Sequence, residues 1–167
     1  MTTRTFPSGR KLALATLLAG AAGVAFAADT ATQSATYEVQ PINELSVSGN
    51  PGALVINAAT AGSAPNQVSD ATSSYAITTN ESTRRITAAI DTAMPAGVTL
   101  KVSLAAPTGA TSAGAVTLGT VATDVVTGIS TLNESGKVIT YTLDATSAAG
   151  VVTSASKTVT YTIAATI

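Results

Sequence analysis

The sequence predicts an all-β protein, a single Greek-key β-sandwich of eight to ten short strands preceded by a cleaved export signal. Three observations carry that expectation. From Ala28 onward, Thr and Ser supply 41 of 140 residues while Leu, Glu, Lys and Arg are scarce, a composition that favours strand over helix. Apolar and polar residues alternate with period two in one segment after another, as strands with one buried face require. Only 10% of the chain is charged and it has six Pro residues, so it lacks the composition of a disordered Ser/Thr stalk.

The strands are read off in order. Ala35, Tyr37 and Val39 share one face and Thr36 and Glu38 the other, which predicts a first strand over 35–39. Leu45 and Val47 continue the pattern after Pro41, and Leu54-Val55-Ile56 is a short apolar run between Gly52 and Asn57. Tyr75 and Ile77 come next, then Ile86, Ala88 and Ile90. The clearest strand is 98–104, where Val98, Leu100, Val102 and Leu104 alternate with Thr99, Lys101 and Ser103. Val116, Leu118 and the stretch 121–126 follow. Ile139, Tyr141 and Leu143 then alternate with Thr140 and Thr142, and Val159, Tyr161 and Ile163 with Thr158, Thr160 and Thr162. The stretches 58–72 and 105–114, rich in Gly, Ala, Pro and Ser, read as surface loops.

Residues 1–27 read as a secretory signal peptide. Arg4, Arg10 and Lys11 form a basic start, Leu12 to Phe26 an uncharged apolar run, and Ala25-Phe26-Ala27 a small-x-small cleavage site. The apolar run is shorter than the roughly 20 residues a membrane span needs, so no span is expected in the mature form. Residues 28–34 would then be an extended N-terminal segment and 35–167 the sandwich domain. Cleavage removes three of eight basic residues and none of the nine acidic ones, leaving a net charge of 5 − 9 = −4. That charge argues against nucleic acid or an anionic membrane as partner. Both Phe residues leave as well, so Tyr37, Tyr75, Tyr141 and Tyr161 are the mature chain's only aromatics.

An internal repeat spans 78–98 and 131–151. Ten of the 21 ungapped positions are identical, where composition alone gives about two or three. Asn80, Glu81 and Ser82 match Asn133, Glu134 and Ser135, Asp91 matches Asp144, and Ala96-Gly97-Val98 matches Ala149-Gly150-Val151. The physical reading is a hairpin turn at each Asn-Glu-Ser, used twice, with an Asp-marked loop after the following strand.

Catalytic chemistry is largely excluded by what is missing. With no Cys or His there is no Ser-His-Asp triad, no thiol nucleophile, no disulfide and no zinc site of the usual ligand types. Both Asn-Glu-Ser segments fit the N-glycosylation pattern and fit equally a turn whose side chains bond their own backbone, the preferred reading. Asp91 and Asp144 lack a calcium-loop pattern and are read as loop caps. Glu38 and Glu44 could form a glycosidase pair only beside an aromatic-lined cleft, for which four Tyr and no Trp offer little. The tyrosines lie in phase with apolar neighbours and are expected in the core or on a sheet face. No catalytic, cofactor or metal-binding residue is assigned, and the chain is not expected to be an enzyme.

The mature start, Ala28-Asp29-Thr30-Ala31-Thr32-Gln33-Ser34-Ala35-Thr36-Tyr37-Glu38-Val39-Gln40-Pro41, resembles the opening of cysteine-free bacterial fimbrial and capsule-fibre subunits. The ending, Ser156-Lys157-Thr158-Val159-Thr160-Tyr161-Thr162-Ile163-Ala164, is similar to the closing strand of such subunits. The resemblance covers the two ends and the overall composition, about a third of the chain. It implies an immunoglobulin-like sandwich that polymerises by strand donation, with an N-terminal segment completing a neighbour's sheet. Ala28 to Ser34 departs from a donor pattern, since Ala31 is its only internal apolar residue, so a donor strand would run into Ala35, Tyr37 and Val39. Those three are alternatively the domain's own first strand. The expected function is an exported structural subunit of a surface fibre, coat or extracellular matrix, secreted or on the cell surface. The alternative is a monomeric secreted or periplasmic binding or adhesion module that uses the loops at 58–72 and 105–114.

Overall fold

A computed structural model describes residues 29–166, so the expected signal peptide at 1–27 lies outside the described residues. Nine strands form within them: β1 (Asn43–Ser48), β2 (Val68–Thr79), β3 (Arg84–Ile90), β4 (Val98–Leu104), β5 (Thr111–Ser112), β6 (Val116–Thr117), β7 (Thr123–Ile129), β8 (Leu132–Ala145) and β9 (Val159–Ala165). The one helical element among the described residues is a single 3-10 turn at Ser147–Ala149. The strands make two antiparallel sheets, ordered β1-β2-β8-β4-β6 and β5-β7-β3-β9, which pack face to face as an all-β sandwich. β1 and β2 share a sheet, and from β3 onward each strand lies in the sheet opposite its predecessor.

The core follows from alternation. In β4, Leu100, Val102 and Leu104 are buried while Thr99, Lys101 and Ser103 are only partly covered. β2 contributes Tyr75 and Ile77, β3 Ile86, Ala88 and Ile90, and β8 Ile139 and Tyr141 to the same cluster. β7 breaks the rule informatively. Its register against β3 steps from Ile86 opposite Val126 to Thr87 opposite Asp124, so Val125 is an inserted residue. A bulge of this kind re-aims side chains, and both Val125 and Val126 are fully buried.

Several expected elements are corrected. Residues 35–39 form no strand, and the first strand begins at Asn43. Alternation specifies a face but supplies no partner for the backbone, and neither sheet pairs with this segment among the described residues. Leu54-Val55-Ile56 is also not a strand; Leu54 packs against the core from a loop while Val55 is exposed. The expected loop 58–72 is a loop only to residue 67, because β2 begins at Val68, and β5 lies inside the expected loop 105–114.

The repeat has a structural basis, though not paired hairpins. Asn80, Glu81 and Ser82 lie in the connection from β2 to β3, which crosses between the sheets. Asn133, Glu134 and Ser135 are no turn at all: they lie inside β8, where the register against β2 slips between Tyr75 opposite Lys137 and Ile77 opposite Glu134. Gly136, at φ +68°, sits in that irregularity, where the left-handed backbone favours glycine. What the copies share is the strand that follows. Ile86 and Ile139 are equivalent in the repeat and both buried, as are Ala88 and Tyr141, one pair member on a central strand of each sheet. After Gly97 the first copy opens β4, whereas after Gly150 the second copy has no strand until β9.

Candidate functional site

Surfaces that add strands are built from sheet edges, and among the described residues four strands have one unpaired edge: β1, β6, β5 and β9. β5 and β6 have only two residues each. β1 and β9 are longer and lie on the same side of the sandwich. On β9, Val159, Tyr161 and Ile163 point inward and are half-buried against the core, while Thr160 and Thr162 are exposed. β3 pairs with all seven of its residues without a register shift, from Arg84 opposite Ala165 to Ile90 opposite Val159. The Tyr161 hydroxyl donates to the Tyr141 hydroxyl at 2.8 Å. Burial, and then its bond to Tyr141, push the Tyr161 phenol well above its ordinary pKa; burial also raises that of Tyr141.

On β1, Leu45 packs against the core opposite Ile77, and Glu44 lies on the outer face opposite Thr78. The start of β1 is held by residues that sequence reasoning assigned to a turn. Asn80 accepts the Ile42 N–H on Oδ1 at 2.7 Å and donates from Nδ2 to the Gln40 carbonyl at 2.8 Å. Its own backbone N–H donates to the Ile42 carbonyl at 3.2 Å, so its side chain extends the ladder beyond the last paired residue. Glu81 accepts from both Asn43 and Arg84, and Thr79 donates to Asn43 Oδ1 at 2.8 Å. All of these except the Glu81–Arg84 contact join residues 36 to 40 apart in sequence, and the repeat and its Asn-Glu-Ser pattern gave no sign of those distant partners.

The segment from Asp29 to Glu38 belongs to a unit separate from the sandwich, which begins at Val39. Every described residue of that segment is exposed, and Tyr37 is 92% exposed. Val39, at the start of the sandwich unit, is 77% exposed. Of the expected donor or first-strand residues Ala35, Tyr37 and Val39, none is in a strand.

The remaining expected site residues fall apart in space or into structural roles. Glu134 binds Lys137 Nζ at 2.5 Å and accepts the Thr108 N–H at 2.9 Å, anchoring a loop rather than capping a turn. Those two partners hold its carboxyl far below the usual range, at about 2. Asp91 does cap a loop, accepting from the N–H groups of Thr92 and Thr158. Asp144 does not; it lies in β8 and pairs with Lys101 at 2.8 Å. Tyr75, buried, donates to the Ala105 carbonyl at 2.6 Å, and burial with the nearby Glu134 charge raises its phenol to about 12. Three tyrosines thus meet the core or sheet-face expectation; Tyr37 does not.

No cluster of three or more acidic side chains able to hold a metal ion occurs among the described residues. An open hollow of about 340 Å³ lies at one end of the sandwich, lined by Ile42, Thr78, Thr79, Asn80, Thr131, Leu132 and Asn133. None of these side chains titrates, so the hollow offers no acid or base. No helix among the described residues is long and apolar enough to cross a membrane. No family model, curated protein or solved structure matches the chain.

Proposed function

We propose that the chain is an exported structural protein, a subunit of a surface fibre, coat or extracellular matrix, and not an enzyme. One observation carries this reading. Ala35 to Val39 has the alternation of a strand, belongs to neither sheet, and leaves Tyr37 92% exposed. A strand-patterned sequence that lies outside both sheets is suited to completing a sheet in a neighbouring subunit, with main-chain bonds for affinity and alternate side chains for specificity. The core, dominated by Ile and Val and holding no cysteine, suits a passive scaffold.

The test uses purified chain beginning at Ala28. We expect concentration-dependent, heat-stable ladders on electrophoresis and filaments by electron microscopy, with both abolished by deletion of 28–39. A chain that stays monomeric at high concentration overturns the reading, as do filaments that survive the deletion.

A second reading, a monomeric secreted or periplasmic binding or adhesion module, is favoured by the connection between β1 and β2. Residues 49–67 contain no strand, only the isolated bridge between Ala59 and Pro65, and a loop of that length in a small domain is usually functional. Under this reading, shortening 58–67 abolishes ligand capture without loss of stability, and deletion of 28–39 leaves capture unchanged.

A further inference from the structure

Among the described residues, the unpaired edge of β9 is the best-formed and least protected sheet edge. Natural edge strands are blunted by brevity, charge, Pro or bulges. β5 and β6 are blunted by brevity, and β1 carries Glu44 on its outer face. β9 runs Val159-Thr160-Tyr161-Thr162-Ile163-Ala164-Ala165, with no charged residue and no Pro, and its unbroken register with β3 leaves it without a bulge. Its exposed residues, Thr160, Thr162 and Ala165, are neutral.

We infer that this edge pairs antiparallel with β9 of a second copy, about a two-fold axis through Thr162. The sequence is complementary to itself in that register. Thr162 faces Thr162, Tyr161 faces Ile163, Thr160 faces Ala164 and Val159 faces Ala165, so all seven residues are paired and the inward Tyr161 meets the inward Ile163. A register centred on any other residue leaves part of the strand unpaired. On the inner face, Tyr161 and Ile163, each half-buried in one copy, form an aromatic and β-branched cross-strand pair of the stabilising kind. On the outer face no like charges meet. β9 is already ordered along its whole length by β3, so pairing requires no new strand to be ordered, unlike the segment 35–39. The contact is isologous and closes at a dimer; a fibre needs the second, N-terminal contact as well. The inference deepens the structural-subunit reading by naming a partner surface, but its test is independent of filament formation.

The chain has no Cys, so a single introduced thiol reports one distance. Directly opposed residues of antiparallel strands lie about 4.5–5.5 Å apart between Cα atoms. That falls within the roughly 4.4–6.8 Å a disulfide spans. In chain beginning at Ala28, mild oxidation of Thr162→Cys is expected to give a covalent dimer. A mixture of Thr160→Cys and Ala164→Cys is expected to give the heterodimer. Thr160→Cys alone places its two thiols about 13 Å apart along the strands and should cross-link no faster than Val151→Cys, a fully exposed control. Thr162→Cys cross-linking at the control rate overturns the pairing. So does equal cross-linking of Thr160→Cys alone and Thr162→Cys, which signals collision or another register. Circular dichroism of each variant confirms the fold before oxidation. Ladders and filaments without Thr162→Cys cross-linking overturn this interface and leave the structural reading standing. Cross-linking without ladders does the reverse.

Discussion

The Tyr161 hydroxyl donates to the Tyr141 hydroxyl at 2.8 Å, joining the edge strand of one sheet to a central strand of the other. Both phenols are partly or wholly withdrawn from water, where an unmade hydrogen bond is costly. Tyr161→Phe keeps the ring and removes the donor, leaving the Tyr141 oxygen without it. We expect a loss of about 1 kcal/mol in urea unfolding, with the m-value unchanged. An unchanged midpoint would show that the bond is fully replaced by water.

The same burial sets the behaviour at high pH. The Tyr75 phenol ionises near 12 in the folded chain against 10.0 for the unperturbed group, because burial and the Glu134 charge oppose the phenolate. The folded state therefore holds protons that the unfolded chain releases above pH 10, so stability falls as pH rises from about 10 toward 12. Tyr141 and Tyr161 are raised in the same direction and add to the fall. Thermal melts across this range should show a declining midpoint, with a shallower decline in Tyr161→Phe than in wild type. Equal slopes would mean that Tyr161 ionises alike in both states.

Asn80 and Asn133 are equivalent in the repeat and unequal in the structure. Asn80 makes two side-chain bonds to the main chain at Gln40 and Ile42, whereas the exposed Asn133 sits within β8 opposite Thr78. Asn80→Ala is expected to cost about 1–2 kcal/mol and to raise amide exchange at Ile42. Asn133→Ala should stay within about 0.5 kcal/mol of wild type by the same denaturant titration. Similar costs for the two substitutions would restore the symmetric-turn reading.

These asymmetries mark where sequence reasoning reaches its limit. β4 was legible because one buried face and one polar face leave a clean alternation, and Leu100, Val102 and Leu104 fall where it places them. Residues 35–39 carry the same signal and form no strand, since a pattern encodes a face and pairing depends on a partner elsewhere. The Asn80 clamp depends on Ile42, 38 residues away, and no local rule for Asn-Glu-Ser contains that residue. The second Asn-Glu-Ser misled for a different reason: Gly136 allows a bulge that absorbs turn-like residues into a continuous strand. The open edge of β9 was invisible because an edge is a property of sheet order and not of the strand.

The interior half of the repeat predicts equality where its turns predict difference. Ile86 and Ile139 occupy equivalent repeat positions, on β3 and β8, each a strand flanked on both sides in its sheet. They are 0% and 1% exposed and belong to one cluster. Truncating a buried Ile to Ala removes its transfer free energy and leaves a cavity, at a cost of about 2–5 kcal/mol. Ile86→Ala and Ile139→Ala should therefore destabilise by similar amounts within that range. The double variant tests whether they share a cavity: a cost departing from the sum by more than about 0.5 kcal/mol places them in contact across the sandwich.

Part of the acid stability rests on Glu134, a carboxylate in the second copy of the repeat. Lys137 and the Thr108 N–H hold the Glu134 carboxyl at about 2, below the 4.5 of the unperturbed group. A depressed folded value means that the unfolded chain binds the proton first as pH falls. The stabilisation is therefore complete above about pH 4.5 and is lost as pH drops toward 2. Glu134→Gln cannot titrate and loses the charge partner of Lys137. Its stability should be lower than wild type at pH 7 and should converge on it by pH 2, as read from urea midpoints at each pH. Parallel curves over that interval would show that Glu134 is not linked to folding, and that the anchor on the 105–110 loop is held by its backbone alone.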